Sequence, residues 1–301
     1  MNEDYKQGLI ELKDKRKLGY AILGEFTGKP ILFFHGWPGT RNDISCFHKI
    51  AKKMKCRIIS LDRPGYSHSD FQKKRSVSDF SEDVLEVLDF FSIEEIPILA
   101  FSSGGLYAFE TALKLPKKIT SLNLVSAIPY FKINIEEEIL NPHIKYLRIL
   151  VRFPGIIRLI LRIVSDYGLN RYKRNSEKEY NKSLRLMPEI DNRTWSQKEI
   201  KEWFLGDYLP DLLLSKRKGI SWDLFLVIWS LFYPESSERS SELKIPVNFW
   251  HGLKDKIVPY STTREQSKLF PEAKVTFYPN EGHKILYTHF NEILDSILSM
   301  D

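Results

Sequence analysis

The sequence predicts an α/β protein: a mostly parallel central sheet flanked by helices, with a helical cap inserted into it. Three observations predict this. Short apolar runs that end in turn residues alternate with helix-period stretches through the first 128 residues. The rhythm then stops, and residues 129–240 read as helical in character. It resumes after residue 240 with two further apolar runs. Strands buried on both faces are near-continuous apolar runs, and their alternation with helices points to the crossovers of a parallel sheet.

Each element follows from local pattern. Gly19-Tyr20-Ala21-Ile22-Leu23 comes after a polar turn and reads as an early strand. Ile31-Leu32-Phe33-Phe34 is the next, ending in His35-Gly36, and Arg57-Ile58-Ile59-Ser60-Leu61 leads into Asp62-Arg63-Pro64-Gly65. From Val77 to Phe91, apolar residues at Phe80, Val84, Leu85, Leu88 and Phe91 share one helical face. Ile98-Leu99-Ala100-Phe101 ends at Ser102, and Leu122-Asn123-Leu124-Val125-Ser126 follows. The segment 129–240 is rich in Arg, Lys and aromatics and is broken by Pro142, Pro154 and Pro210. Val247-Asn248-Phe249-Trp250 and Lys274-Val275-Thr276-Phe277-Tyr278 restore the strand rhythm. One α/β domain is therefore expected in two parts, 1–128 and 241–301, with 129–240 inserted as a cap.

Composition narrows the class. With 301 residues, 43% hydrophobic and 28% charged, the chain can bury a sizeable core without disulfides or metal. Cys46 and Cys56 form no CxxC pair and bracket an expected helix, so two free thiols in a reducing, cytoplasmic setting are expected. The N-terminal stretch carries early acids and no apolar centre, so no secretory leader is expected. The best candidate for a membrane span is interrupted by Arg152, Arg158 and Arg162. A net charge of +6 is mild for this length, and no nucleic-acid-binding signature accompanies it.

Three residues carry the chemistry. Ala100-Phe101-Ser102-Ser103-Gly104-Gly105 joins a strand end to a helix start, which is the context of a nucleophile elbow. Residues two before and two after the serine must be small there, and Ala100 and Gly104 are. Taking Ser103 instead would put Phe101 at a tight position. The ordinary alternative is a helix N-cap serine. A serine hydroxyl needs a base. His283 lies on the loop after the strand ending at Tyr278 and before a final helix, whereas His289 falls inside that helix and His48, His68 and His143 lack a strand-end setting. A carboxylate must fix the imidazole tautomer, and Asp255, a short turn after Val247–Trp250, is the candidate. Its ordinary account is a turn aspartate.

The order Ser102, Asp255, His283, each at an expected strand end, resembles the α/β-hydrolase superfamily. His35-Gly36-Trp37-Pro38-Gly39 resembles that family's oxyanion loop, and Asp62-Arg63-Pro64-Gly65-Tyr66-Ser67 its loop after the next strand. Ala100 departs from the family's usual glycine. The resemblance covers residues about 10–128 and 243–299, and 129–240 matches the family's variable cap in position alone. It implies an oxyanion hole made by the backbone N–H groups of Trp37 and Ser103. Asp62, Arg63 and His35 are read as residues that tie loops together.

The function expected is hydrolysis of an ester, thioester or amide of a small, hydrophobic substrate through an acyl-Ser102 intermediate, with no cofactor or metal. A carbon–carbon bond hydrolase or cofactor-free perhydrolase would keep the same three residues, and a non-catalytic ligand-binding protein on this fold would not need them all. Trp222, Phe225 and Trp229, on an all-round apolar stretch from Ser221 to Phe232, are candidates for the substrate pocket with Trp37; the ordinary account is packing of the cap on the core. From His143 to Arg174 there are eight Lys or Arg and one acid, Asp166, with Arg148 and Arg152, and Arg158 and Arg162, four apart. A solvated face on an amphipathic helix is preferred there over a membrane-surface face or a guide for anionic substrates.

Overall fold

The computed structural model describes residues 5–132 and 149–300. Eight strands form one sheet: β1 (Lys6–Glu11), β2 (Lys17–Gly24), β3 (Lys29–Phe34), β4 (Cys56–Leu61), β5 (Ile96–Phe101), β6 (Ile119–Val125), β7 (Val247–Gly252) and β8 (Lys274–Tyr278). Their order is β1-β2-β4-β3-β5-β6-β7-β8. The β1–β2 and β2–β4 pairs are antiparallel and all others parallel. Every apolar run read as a strand lies in one. The strand missing from the sequence reading is β1, which buries only Ile10 among its six residues. An edge strand needs no apolar run, and Lys6, Gln7 and Glu11 keep its outer side polar.

Side-chain alternation splits the core across the two faces of the sheet. Leu32, Phe34, Ile59, Ile98 and Leu122 pack with Val84, Val87 and Leu88 of α2 (Phe80–Phe90) and Leu106 and Phe109 of α3 (Gly104–Lys114). Ile31, Phe33, Ile58, Leu99 and Val125 point the other way, onto Ala51 of α1 (His48–Lys53). The helix expected from Val77 begins at Phe80, because Ser76 and Asp79 bond each other's backbone N–H and close a turn first. Cys46 and Cys56, on either side of α1, are both free.

Between β6 and β7 the chain forms α4 (Pro154–Arg174), α5 (Ser176–Leu186), α6 (Glu189–Trp195), α7 (Lys198–Trp203), α8 (Leu209–Leu214) and α9 (Arg217–Phe232). Pro154 sits in the first turn of α4, where a missing N–H costs nothing, and Pro210 follows the π-helical turn Phe204–Tyr208 that leads into α8. Pro142, His143 and Arg148 lie outside the described residues. The stem of the insertion is closed by an isolated bridge between Phe131 and Glu235, with Lys132 N–H donating to Glu235 O at 2.7 Å.

A buried ion cluster pins the insertion to the sheet. Asp223 of α9 accepts from Arg63 at 2.8 Å, Arg75 at 2.9 Å, the Tyr66 hydroxyl at 2.9 Å and the Tyr107 hydroxyl. Burial opposes its charge, but Arg63 and Arg75 more than offset this and hold the carboxyl well below the usual range. Arg63 also donates to the carbonyls of His35 (2.6 Å) and Gly36 (2.9 Å). Asp62 holds Arg41, which reaches Asp211 of α8 at 3.1 Å. The loop-tying residues thus also reach into the insertion, which the local sequence around them could not indicate.

Candidate active site

In a parallel sheet the strand ends gather on one edge, and so do the loops that follow β3, β5, β7 and β8. Ser102 stands between β5 and α3 with φ +53°, a left-handed conformation that swings it clear of the strand. The turn is held by Ser102 N–H donating to Val125 O and Ile128 N–H donating to Ser102 O. Gly104 is required two residues on: a Cβ there would lie 2.3 Å from the Phe34 carbonyl oxygen. Ala100 is fully buried in β5.

The fold brings the three sequence-separated residues into a chain of hydrogen bonds. His283 Nδ1 lies 2.7 Å from Asp255 Oδ2, and His283 Nε2 lies 3.0 Å from Ser102 Oγ. All three are buried. Burial works against the Asp255 charge, but His283 and His251 overcome it and keep the carboxyl well below the usual range. An ionised Asp255 accepts from Nδ1–H, which leaves Nε2 as the acceptor for the serine hydroxyl. Such an arrangement can take a proton from Ser102 as its oxygen attacks and return it later. His289 is elsewhere: it contacts Glu281 at 3.3 Å and Glu292 at 3.2 Å and stacks on Tyr278.

His251 is the residue that the sequence reading passed over. Its ring, at the end of β7, is fully buried. Nε2 lies 3.0 Å from Asp255 Oδ2 and 2.8 Å from Val258 O, and Nδ1 lies 2.7 Å from the Thr263 hydroxyl. Both neighbours of Nε2 are acceptors, so Nε2 carries the proton and Nδ1 accepts from Thr263. The other oxygen of Asp255 accepts the backbone N–H groups of Ile257 (2.8 Å) and Val258 (2.9 Å). The available signal was the four-residue spacing of His251 and Asp255 across a turn.

The backbone N–H groups of Trp37 and Ser103 pair with no backbone carbonyl among the described residues. Ser103 directly precedes α3, so its N–H stands at the positive end of that helix. The neighbouring Gly36 N–H favours the charged form of the Asp43 carboxyl. The Trp37 indole N–H donates to Ile220 O at 3.1 Å, tying the loop to the first turn of α9.

The other aromatic candidates lie along α9. The Trp222 indole donates to Arg75 O and lies edge-on to Phe71, with Arg158 4.8 Å above its ring. Phe225 belongs to the cluster between α9 and α4, and Trp229 stacks on Tyr233. Phe225 and Trp229 thus pack among the helices between β6 and β7, while Trp222 reaches Phe71 and Arg75. Phe101 packs on His283, with ring centroids 5.2 Å apart, and on Tyr287, which Trp195 and Trp203 in turn approach. Two charged groups also border the site. The Lys284 ammonium lies 4.6 Å over Trp195, its charge disfavoured by burial despite Asp43, Asp191 and Asp255. Burial pushes the Asp43 carboxyl up to about 6 against the pull of Lys284. Tyr287 donates to its Oδ1 at 3.1 Å, and its Oδ2 has no partner among the described residues.

Comparison with known proteins agrees with this architecture. Residues 29–151 match the family described as alpha/beta hydrolase fold. The chain is 24% identical to an uncharacterized hydrolase of Saccharomyces cerevisiae, covering 97% of this chain and 95% of the relative. It is 22% identical to a non-heme chloroperoxidase of Streptomyces lividans, covering 94% and 95%. Among solved structures, an esterase from Exiguobacterium antarcticum superposes with a TM-score of 0.65 at 17% identity, over 96% of this chain and 97% of that one.

Proposed function

From the premise that the chain belongs to the α/β-hydrolase superfamily, we propose that it is a serine hydrolase that cleaves an ester, thioester or amide of a small, apolar substrate through an acyl-Ser102 intermediate. The observation that carries this reading is the hydrogen-bonded chain from Ser102 through His283 to Asp255. Ser102 Oγ attacks the carbonyl carbon while His283 Nε2 takes its proton. The tetrahedral oxyanion is received by the N–H groups of Trp37 and Ser103, and the proton passes to the leaving group. Water, deprotonated by the same nitrogen, then releases the acid. The Phe101 ring beside His283 favours an apolar acyl or alcohol group. A second reading is favoured by the relative named a chloroperoxidase: hydrogen peroxide replaces water as the acyl acceptor and a peracid results.

A fluorophosphonate tests the shared first step. Ser102 Oγ displaces fluoride at phosphorus, and the hydroxyl proton goes to His283. Labelling is expected once per chain, at Ser102, at neutral pH. It should be abolished by Ser102→Ala, largely retained by Ser103→Ala and suppressed in acid, where a protonated His283 accepts no proton. A folded protein that resists the probe, or takes it at Ser103, overturns the assignment. Product analysis of acyl esters with and without peroxide separates the two readings.

His251 has a positioning role in this mechanism. Its N–H draws charge from Asp255 Oδ2, the same oxygen that holds His283. His251→Phe keeps a ring and removes the donor, so the carboxylate holds the imidazolium more tightly. The acid limb of kcat/KM should move to higher pH, with a loss on the order of tenfold or more at neutral pH from lost alignment. An unshifted limb would leave His251 as packing only.

A further inference from the structure

Helix α4 is apolar on two sides. Ile157 and Leu161 are buried against Phe225, Leu226 and Ile228 of α9, as an amphipathic cap helix requires. The rest of its circumference should be polar. Instead Phe153 and, on α4 itself, Ile156, Ile160, Ile163 and Tyr167 recur three or four residues apart with 40–65% of their surface exposed, and Val164 widens the stripe. A contiguous exposed apolar strip of this kind marks an interaction surface. Its charges say which partner fits. Arg152 and Arg162 are exposed beside it, and Lys173 and Arg174 are exposed at the helix end. The one acid on the helix, Asp166, is 3.5 Å from Arg217. A second copy on this strip would bring a border of the same positive charge against the first. An anionic surface with an apolar interior meets both the strip and its basic border.

We propose that α4 docks this protein onto anionic lipid bilayers, lying in the headgroup–acyl boundary with its outer stripe inserted and Arg152 and Arg162 on lipid phosphates. The helix does not cross the bilayer; no helix among the described residues is long and apolar enough to do so. Docking would set the cap against the bilayer, and α9, which packs on α4, also touches Trp37 through Ile220 O.

The test is co-sedimentation of the full chain with phosphatidylcholine vesicles, pure or containing roughly 30% phosphatidylglycerol. Binding to the anionic vesicles, much weaker to the pure ones and reduced by salt, is expected. Ile163→Glu should weaken it at least about tenfold, from lost insertion of an apolar side chain and added repulsion. Arg152→Gln and Arg162→Gln, which leave the apolar side chains in place, should each weaken it about fivefold. Fluorophosphonate labelling serves as the folding control and should persist in all three. Failure to sediment with the anionic vesicles, equal binding to both, or variants that bind like the parent would each overturn the proposal. So would a dimer in light scattering that Ile163→Glu dissociates, which would assign the stripe to a second copy.

Discussion

Ser102→Ala and His283→Ala should each lower kcat on a reactive ester by on the order of 10⁴ or more, with the double variant little worse than either. Neither the nucleophile nor its base works without the other, so their losses do not add. Asp255→Asn should cost somewhat less. Its side chain faces two backbone donors and two imidazoles. The backbone donors of Ile257 and Val258 keep the amide oxygen, which turns the amide nitrogen toward the rings. His283 must then present an acceptor at Nδ1 and carry its proton on Nε2, where it cannot accept from Ser102. His289→Ala should be near neutral, because its partners are Glu281, Glu292 and Tyr278. Steady-state kinetics on the four single variants checks the assignment. Activity lost in His289→Ala and kept in His283→Ala would name the wrong base.

Asp223→Ala should destabilise the fold by about 3–5 kcal/mol, the cost of stripping the partner from a buried ion pair. Arg63 and Arg75 are both fully buried, and each has Asp223 as a charged partner. Removing one carboxylate leaves two guanidinium groups uncompensated and two tyrosine hydroxyls without their acceptor. Urea unfolding of the variant against the parent measures the effect, and an unchanged midpoint at equal m would refute it. The pH dependence has a definite sign. The folded-state carboxyl is held below its unfolded value, so its contribution is fully present above about pH 4 and is lost as pH falls toward the folded value. Because Arg63 also grips the carbonyls of His35 and Gly36, the variant's residual folded fraction should show loosened control of the Trp37 loop as well.

Ser102, Asp255 and His283 were legible because each announces itself locally. A buried strand is an apolar run, a strand that turns sharply into a helix needs small residues at fixed offsets, and a loop at a strand end carries its polar residue within a few positions. These are short-range constraints, so one sequence expresses them. β1 was illegible for the same reason in reverse: it is an edge strand with one buried side chain, and its partner rather than its own pattern makes it a strand.

What only the tertiary structure decided is which distant groups share an environment. Nothing in the residues around Arg63 indicates that Asp223, 160 positions on, neutralises it. Nothing in the apolar stretch from Ser221 to Phe232 says that Trp222 donates to Arg75 O while Phe225 packs on α4, or that Trp195 and Trp203 approach Tyr287. Burial free energy depends on how much apolar surface leaves water and is indifferent to direction, so a helix apolar all round can satisfy itself against any neighbour. Hydrogen bonds and ion pairs are directional and short-ranged, and they choose among those neighbours only after the chain has brought them within a few ångströms. The alternation of strand and helix and the strand-end residues were therefore determined by the sequence alone, while the shape and lining of the site were settled by packing.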